Sequence, residues 1–128
     1  MLYHRQDALA LTKQGVQMWI YNGKEECPQA AVVYQETAQG HAEEFYHDKS
    51  AFVFYIVEGQ GTWVIEGREY PVQATDVVIV PPGKRFYYRG RLKHVCITAP
   101  AWEGEYEHHV RDVRFDDRGS SDDNPKER

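Results

Sequence analysis

FYIVEGQGTWVIEGREYPVQATDVVIVPPGKRFYY, residues 54–88, is the stretch that decides the fold. Apolar and polar side chains alternate through most of it, its runs are crowded with aromatic and β-branched residues, and its breaks are Glu58-Gly59-Gln60-Gly61, Glu66-Gly67 and Pro81-Pro82-Gly83. Period-two alternation with that composition specifies strands, and the Gly and Pro clusters specify reversals. Working outward, the same pattern predicts strands over residues 16–21, 30–37, 51–57, 61–65, 69–71, 76–80, 85–89 and 93–98, with further turns at Asn22-Gly23 and Arg89-Gly90. Residues 8–13 read as no more than one helical turn, and no long 3.6-period segment exists. The chain is therefore expected to be all-β, with its many short strands closed into a sandwich or barrel.

A length of 128 residues with 41% apolar content suits one domain, placed at residues 1–115. From Asp116 onward the chain has nothing to bury, and residues 116–128 are expected to form a disordered polar tail. The formal charge of -5, from 20 acidic against 15 basic residues, disfavours nucleic acid and anionic membrane and leaves a small neutral or polar organic molecule as the expected ligand. Short apolar runs and an N-terminus, MLYHRQDALAL, without an apolar signal segment point to a soluble, cytoplasmic protein. Cys27 and Cys96 lack C-x-x-C spacing and read as buried or idle thiols. Phosphate-loop, serine-elbow, H-E-x-x-H and dinucleotide motifs are all missing from the sequence, which argues against nucleotide hydrolysis, serine-triad hydrolysis and hydride transfer.

The opening stretch resembles the core of small single-domain cupins, over roughly residues 30–100. The family's second motif, G-x5-P-x-G-x2-H-x3-N, falls on Thr75, Pro81, Gly83, Phe86 and Gly90. Its first motif, G-x5-H-x-H-x3/4-E-x6-G, ends on Gly59 and puts its Glu at Phe52; the two His positions fall on Tyr46 and Asp48, after Gly40, or on Phe45 and His47. The resemblance implies a jelly-roll (double-stranded β-helix) barrel. It also implies a metal centre in most members, but a phenyl ring has no lone pair for a metal, so Phe52 and Phe86 point to a metal-independent relative without cofactor. The alternative is a metal-dependent oxygenase or isomerase using a displaced set, His47 with Asp48, Tyr46 or a glutamate. A structural or regulatory module with a filled interior is a third reading.

On this alignment His47 lies at the barrel mouth and is the expected acid or base, with Tyr88 as its polar partner. Phe52, Phe54, Phe86 and Tyr88 are expected to line an apolar pocket, joined by Tyr46 and Trp63. Isomerisation, epimerisation or dehydration are the reaction classes such a site supports, because they need proton transfer without redox chemistry. Small cupins often pair their sheets, so the resemblance, together with a surplus of aromatics, implies a homodimer, with Tyr21, Tyr34, Tyr55 and Trp63 as candidates for its outer face. Val95 and Ile97 form the more apolar face of their strand, which turns His94 and Cys96 outward. Glu43, Glu44, Glu105, Glu107, His108 and His109 read as solvated surface, and His41 has no partner that the sequence can name.

Overall fold

A computed structural model describes residues 1–115; the tail expected at 116–128 lies outside them. Nine strands follow one another: β1 (Leu9–Lys13), β2 (Val16–Ile20), β3 (Ala31–Thr37), β4 (Glu43–His47), β5 (Ala51–Ile65), β6 (Arg68–Gln73), β7 (Val77–Val80), β8 (Phe86–Ala99) and β9 (Glu107–Asp112). The sheet runs β1-β2-β3-β8-β4-β9, and β5 pairs with β6, β7 and β8. β5 and β8 are its spine, antiparallel from Ala51↔Ala99 to Ile65↔Phe86. One edge of β8 holds β3 and β4, while β5 holds β7 on its first half and β6 on its second.

Each spine strand was expected as two, broken by turns at residues 58–61 and 89–90. Those glycines instead sit inside continuous strands and let them bend. At Gly90, φ is +128°, and a Cβ would lie 2.5 Å from the Gln60 carbonyl oxygen and 2.6 Å from Gly61 Cα. Only glycine allows the two backbones to cross so closely. A bulge between Ile56 and Glu58 adds to the bend. Thr75, in the family's first glycine position of the second motif, keeps a left-handed φ of +75° despite its branched side chain.

Three strands were missed. β1 replaces the expected helical turn, pairing along its length with β2. β4 and β9 pair with each other and carry the residues read as solvated flank, except Glu105, which lies in the turn just before β9. Glu43 and Glu44 are in fact buried, because the neighbouring strand supplies their partners: His109 Nδ1 lies 2.6 Å from Glu43 Oε2, and Arg111 Nε donates to Glu44 Oε1 at 2.7 Å. A buried carboxylate needs such a partner, and its sequence distance of more than sixty residues hides it from local pattern.

Inward-facing side chains build one aromatic core, from Phe45, Phe52, Phe54, Ile56, Trp63, Phe86, Tyr88, Leu92 and Cys96. His94 is fully buried beside them and Cys96 nearly so. The expectation for this strand is reversed, since Val95 and Ile97 take the outer face. Alternation defines two faces of a strand but does not say which is inner when both are apolar.

Candidate ligand-binding cavity

At the point where cupin ligands converge, three rings pack together. Phe45 lies 4.6 Å from Phe86, Phe52 5.4 Å from Phe86, and Phe45 5.6 Å from Phe52, centroid to centroid. These residues do not fit a metal, since no ring carries a donor. The displaced set does not converge either: Asp48 pairs with His108 at 2.6 Å, and Tyr46 stacks on the same imidazole at 4.8 Å. Among the described residues no three His, Cys, Asp or Glu side chains are grouped to hold a metal ion.

His47 is buried and fully used by the backbone. Its Nδ1 accepts from Ser50 N at 2.9 Å and Lys49 N at 3.2 Å, which fixes the proton on Nε2, and Nε2 donates to the Glu103 carbonyl at 3.0 Å. That arrangement ties β4 to two loops and leaves neither nitrogen for a substrate. Phe86 is sealed in the core, and Trp63, with none of its surface exposed, stacks against Tyr88 at 4.4 Å. Trp63 thus belongs to neither an outer face nor a pocket wall.

An interior cavity of about 340 Å³ opens between β1, β2, β3 and the inner face of β5 and β8. Leu9, Leu11, Met18, Ile20, Val33, Phe45, Phe52 and Phe54 form its apolar walls. Its polar groups are His41, Gln35, Tyr88, Lys13 and Glu107, with Trp102 beside the last two, and Asn22 and Thr98 elsewhere in the wall. A larger open groove of about 720 Å³ lies along β6 and β7, but its charged residues, Glu66, Arg68, Asp76 and Lys84, are spread over an outer surface. The interior cavity is the one in which buried polar groups converge.

His41 follows Gly40, which bridges to Arg89 of β8 and so holds the imidazole beside Tyr88, 5.6 Å between ring centroids. Its Nδ1 lies 2.7 Å from the Glu43 carbonyl and must donate to it, so the lone pair sits on Nε2. Burial pushes the imidazole's pKa down, outweighing the hydrogen bond and the nearby Glu43 and Glu107 charges, and His41 is neutral at pH 7. Burial likewise raises the Tyr88 phenol well above its ordinary range, and the hydroxyl donates to Gln35 Oε1 at 3.3 Å. That bond orients the amide so that its NH₂ group is the free end. Lys13 meets Glu107 at 3.1 Å, and Trp102 Nε1 donates to the other Glu107 oxygen at 2.8 Å. The cavity therefore offers a neutral base, a phenol, an amide donor and one compensated ion pair.

Of the residues expected to bind ligand, Phe52, Phe54 and Tyr88 line this cavity; Phe86, Trp63, Tyr46 and His47 do not. Sequence reasoning missed His41, Gln35, Lys13 and Glu107. Lys13 and Glu107 were unreadable because β1 and β9 were not recognised as strands, although the alternation Leu9, Leu11, Lys13 was available.

The cupin domain family matches residues 32–97, and the chain belongs to this family. No similar sequence was found among curated proteins. Among solved structures, the nucleoside dehydratase Pac13 is 30% identical over 95% of this chain and 98% of its own, with a TM-score of 0.87. A Tyr→Phe variant of Streptomyces PAC13 with uridine is 31% identical, covering 95% of this chain and 97% of that one, TM-score 0.87. KdgF from Halomonas sp., at 14% identity over 82% of this chain and 97% of its own with a TM-score of 0.69, shares the jelly-roll fold.

Proposed function

We propose that this protein is an acid–base enzyme of the dehydratase type, acting on an uncharged nucleoside-like molecule in the interior cavity. The observation that carries the reading is His41: a buried, neutral imidazole whose Nδ1 is anchored, which leaves the lone pair on Nε2, in the lining of a cavity shared with Tyr88. It is supported by the similarity to Pac13 and by the uridine complexes of a His→Gln variant and of Tyr→Phe variants of that relative. In this role His41 replaces His47, whose ring nitrogens are both committed to the backbone.

Dehydration removes a proton from carbon and a hydroxyl from its neighbour. His41 Nε2 takes the proton, which a base of lowered pKa can do only where an adjacent carbonyl acidifies the C–H bond. Tyr88 stays protonated and holds the substrate's polar end together with the Gln35 amide, while the apolar walls take its flat ring and exclude water. The departing hydroxyl needs a proton, and the Lys13 ammonium is the nearest charged donor lining the cavity. Lys13 is also its single lysine or arginine among the described residues, and Glu107 already balances it, so a phosphorylated substrate would find no free cation.

Isothermal titration with uridine and with uridine 5′-monophosphate tests binding, and mass spectrometry of nucleosides bearing a carbonyl beside the reacting carbon tests loss of water. Uridine should saturate one site per chain, with the monophosphate at least about tenfold weaker, a difference of about 1.4 kcal/mol or more. His41→Gln should retain binding and abolish water loss. Equal binding of the two ligands, or turnover that survives His41→Gln, would overturn the reading.

A further inference from the structure

Glu43 is a buried carboxylate that the reaction described above leaves unused. One of its oxygens, Oε2, lies 2.6 Å from His109 Nδ1; the other, Oε1, is buried and has no hydrogen-bond partner among the described residues. A buried carboxylate with an unmade hydrogen bond destabilises a fold. Glutamine has nearly the same shape and would carry no charge to desolvate, so packing alone does not call for glutamate here.

What the position offers is nearness to His41. The Glu43 carbonyl oxygen takes the His41 Nδ1 hydrogen at 2.7 Å. His41 N–H donates to the Tyr88 carbonyl at 2.9 Å, and Ala42 is held on both sides, its N–H by the Gln14 carbonyl at 2.8 Å and its carbonyl by Val113 N–H at 3.0 Å. These bonds fix the backbone from His41 to Glu43. The Nδ1 bond then fixes the ring, and the His109 contact fixes the carboxylate.

We infer, on the reading of His41 as the base, that Glu43 is the residue that positions and supports it: its carbonyl orients the ring, and its carboxylate stabilises the imidazolium that forms when Nε2 takes the substrate's proton. A buried carboxylate serves a catalytic imidazole in the same way in the serine-protease triad, where one group both orients and stabilises. Here the two tasks are divided between the backbone and the side chain of one residue.

Among the described residues, the other charges that act on this ring are balanced or screened. Glu107 of β9 is matched by Lys13 of β1 at 3.1 Å and accepts from Trp102 Nε1 at 2.8 Å. On β8, burial keeps the Tyr88 phenol protonated, and it pushes His94 down to about 3, so that ring is neutral. His109 and Asp112, 3.8 Å apart, have side chains 51% and 80% exposed, and water screens them. Glu43 is left as the anion whose field reaches His41 through protein. Burial is the largest influence on the His41 pKa and lowers it; the hydrogen bond to Glu43 and then the Glu43 charge push it back up.

Glu43→Gln removes the charge and keeps the shape, whereas His109→Gln keeps an N–H donor for Glu43 and removes the ring. In ¹⁵N titrations of the histidine rings without substrate, His41 should take up its proton at lower pH in Glu43→Gln than in wild type, and at the wild-type pH in His109→Gln. With a nucleoside bearing a carbonyl beside the reacting carbon, Glu43→Gln should lower kcat about tenfold or more while uridine affinity stays unchanged. It should also move the acid limb of kcat/KM to lower pH, because a weaker base is free of its proton at lower pH yet abstracts less well. Glu43→Asp, which keeps the charge and shortens the reach to His109, should restore the wild-type titration. A contact that only holds β4 against β9 would lower stability and turnover alike in Glu43→Gln and His109→Gln and leave the limb in place. That result would overturn the proposal, as would an unmoved His41 titration in Glu43→Gln or a Glu43→Asp protein that titrates like it. The ring titration needs no substrate, so it decides on Glu43 separately from the turnover of His41→Gln, which decides on the proposed activity.

Discussion

His94→Leu is expected to leave stability near neutral pH little changed and to remove much of the protein's sensitivity to acid. The imidazole is fully buried, and neither of its nitrogens has a hydrogen-bond partner among the described residues. Leucine of similar volume removes two orphaned polar atoms, a gain of roughly 1–3 kcal/mol, but forfeits edge-on packing against Tyr88, Phe54 and Trp63 at 5.1, 5.4 and 5.5 Å, worth about 0.5–1.5 kcal/mol per ring. Those terms nearly cancel. Burial, reinforced by the His41 charge, lowers the folded-state pKa from 6.5 to about 3, so below the unfolded value only the unfolded chain takes up this proton. The contribution is intact above pH 6.5 and is lost as pH falls toward 3. At about pH 4.5, two units below the unfolded pKa, the loss is about 2.7 kcal/mol. Urea unfolding of wild type and variant at pH 7 and at about pH 4.5 isolates it, since His41 shifts in the same direction but is present in both chains. The same stability difference between the two proteins at both pH values would refute the argument.

Phe86→Ala should cost the full 3–5 kcal/mol of a tightly packed ring in thermal or urea unfolding, because Phe86 is sealed among Phe45, Phe52 and Phe54 and borders no cavity. His47→Ala should cost about 3 kcal/mol in the same assays, from three lost backbone hydrogen bonds, with uridine affinity unchanged in the folded fraction. Thr75→Gly should raise stability by about 1 kcal/mol in urea unfolding, since the φ of +75° strains a branched residue and suits glycine.

The strand-rich spine could be read from residues 54–88 because glycine, proline and period-two alternation are local signals. What failed was whatever depended on distant partners. Glu43 and Glu44 look like surface until Arg111 and His109 arrive from β9, and His94 looks outward-facing until the Val95–Ile97 face proves to be part of an apolar exterior. The cavity was half legible: Phe52, Phe54 and Tyr88 followed from family position and alternation, with Phe86 wrongly added to the wall. The choice between His41 and His47 was not legible at all. It turns on which ring nitrogens the backbone consumes, and no spacing rule encodes that.

The most direct test is therefore the imidazole spectrum. Long-range ¹H–¹⁵N correlation of the histidine rings, recorded during a uridine titration at pH 7, reports tautomer and contact for each residue separately. The account predicts that free His41 shows a protonated Nδ1 and an acceptor Nε2, and that uridine shifts the Nε2 resonance while the His47 and His94 signals stay in place. A titration in which His41 does not move, or in which His47 moves in its stead, would contradict it.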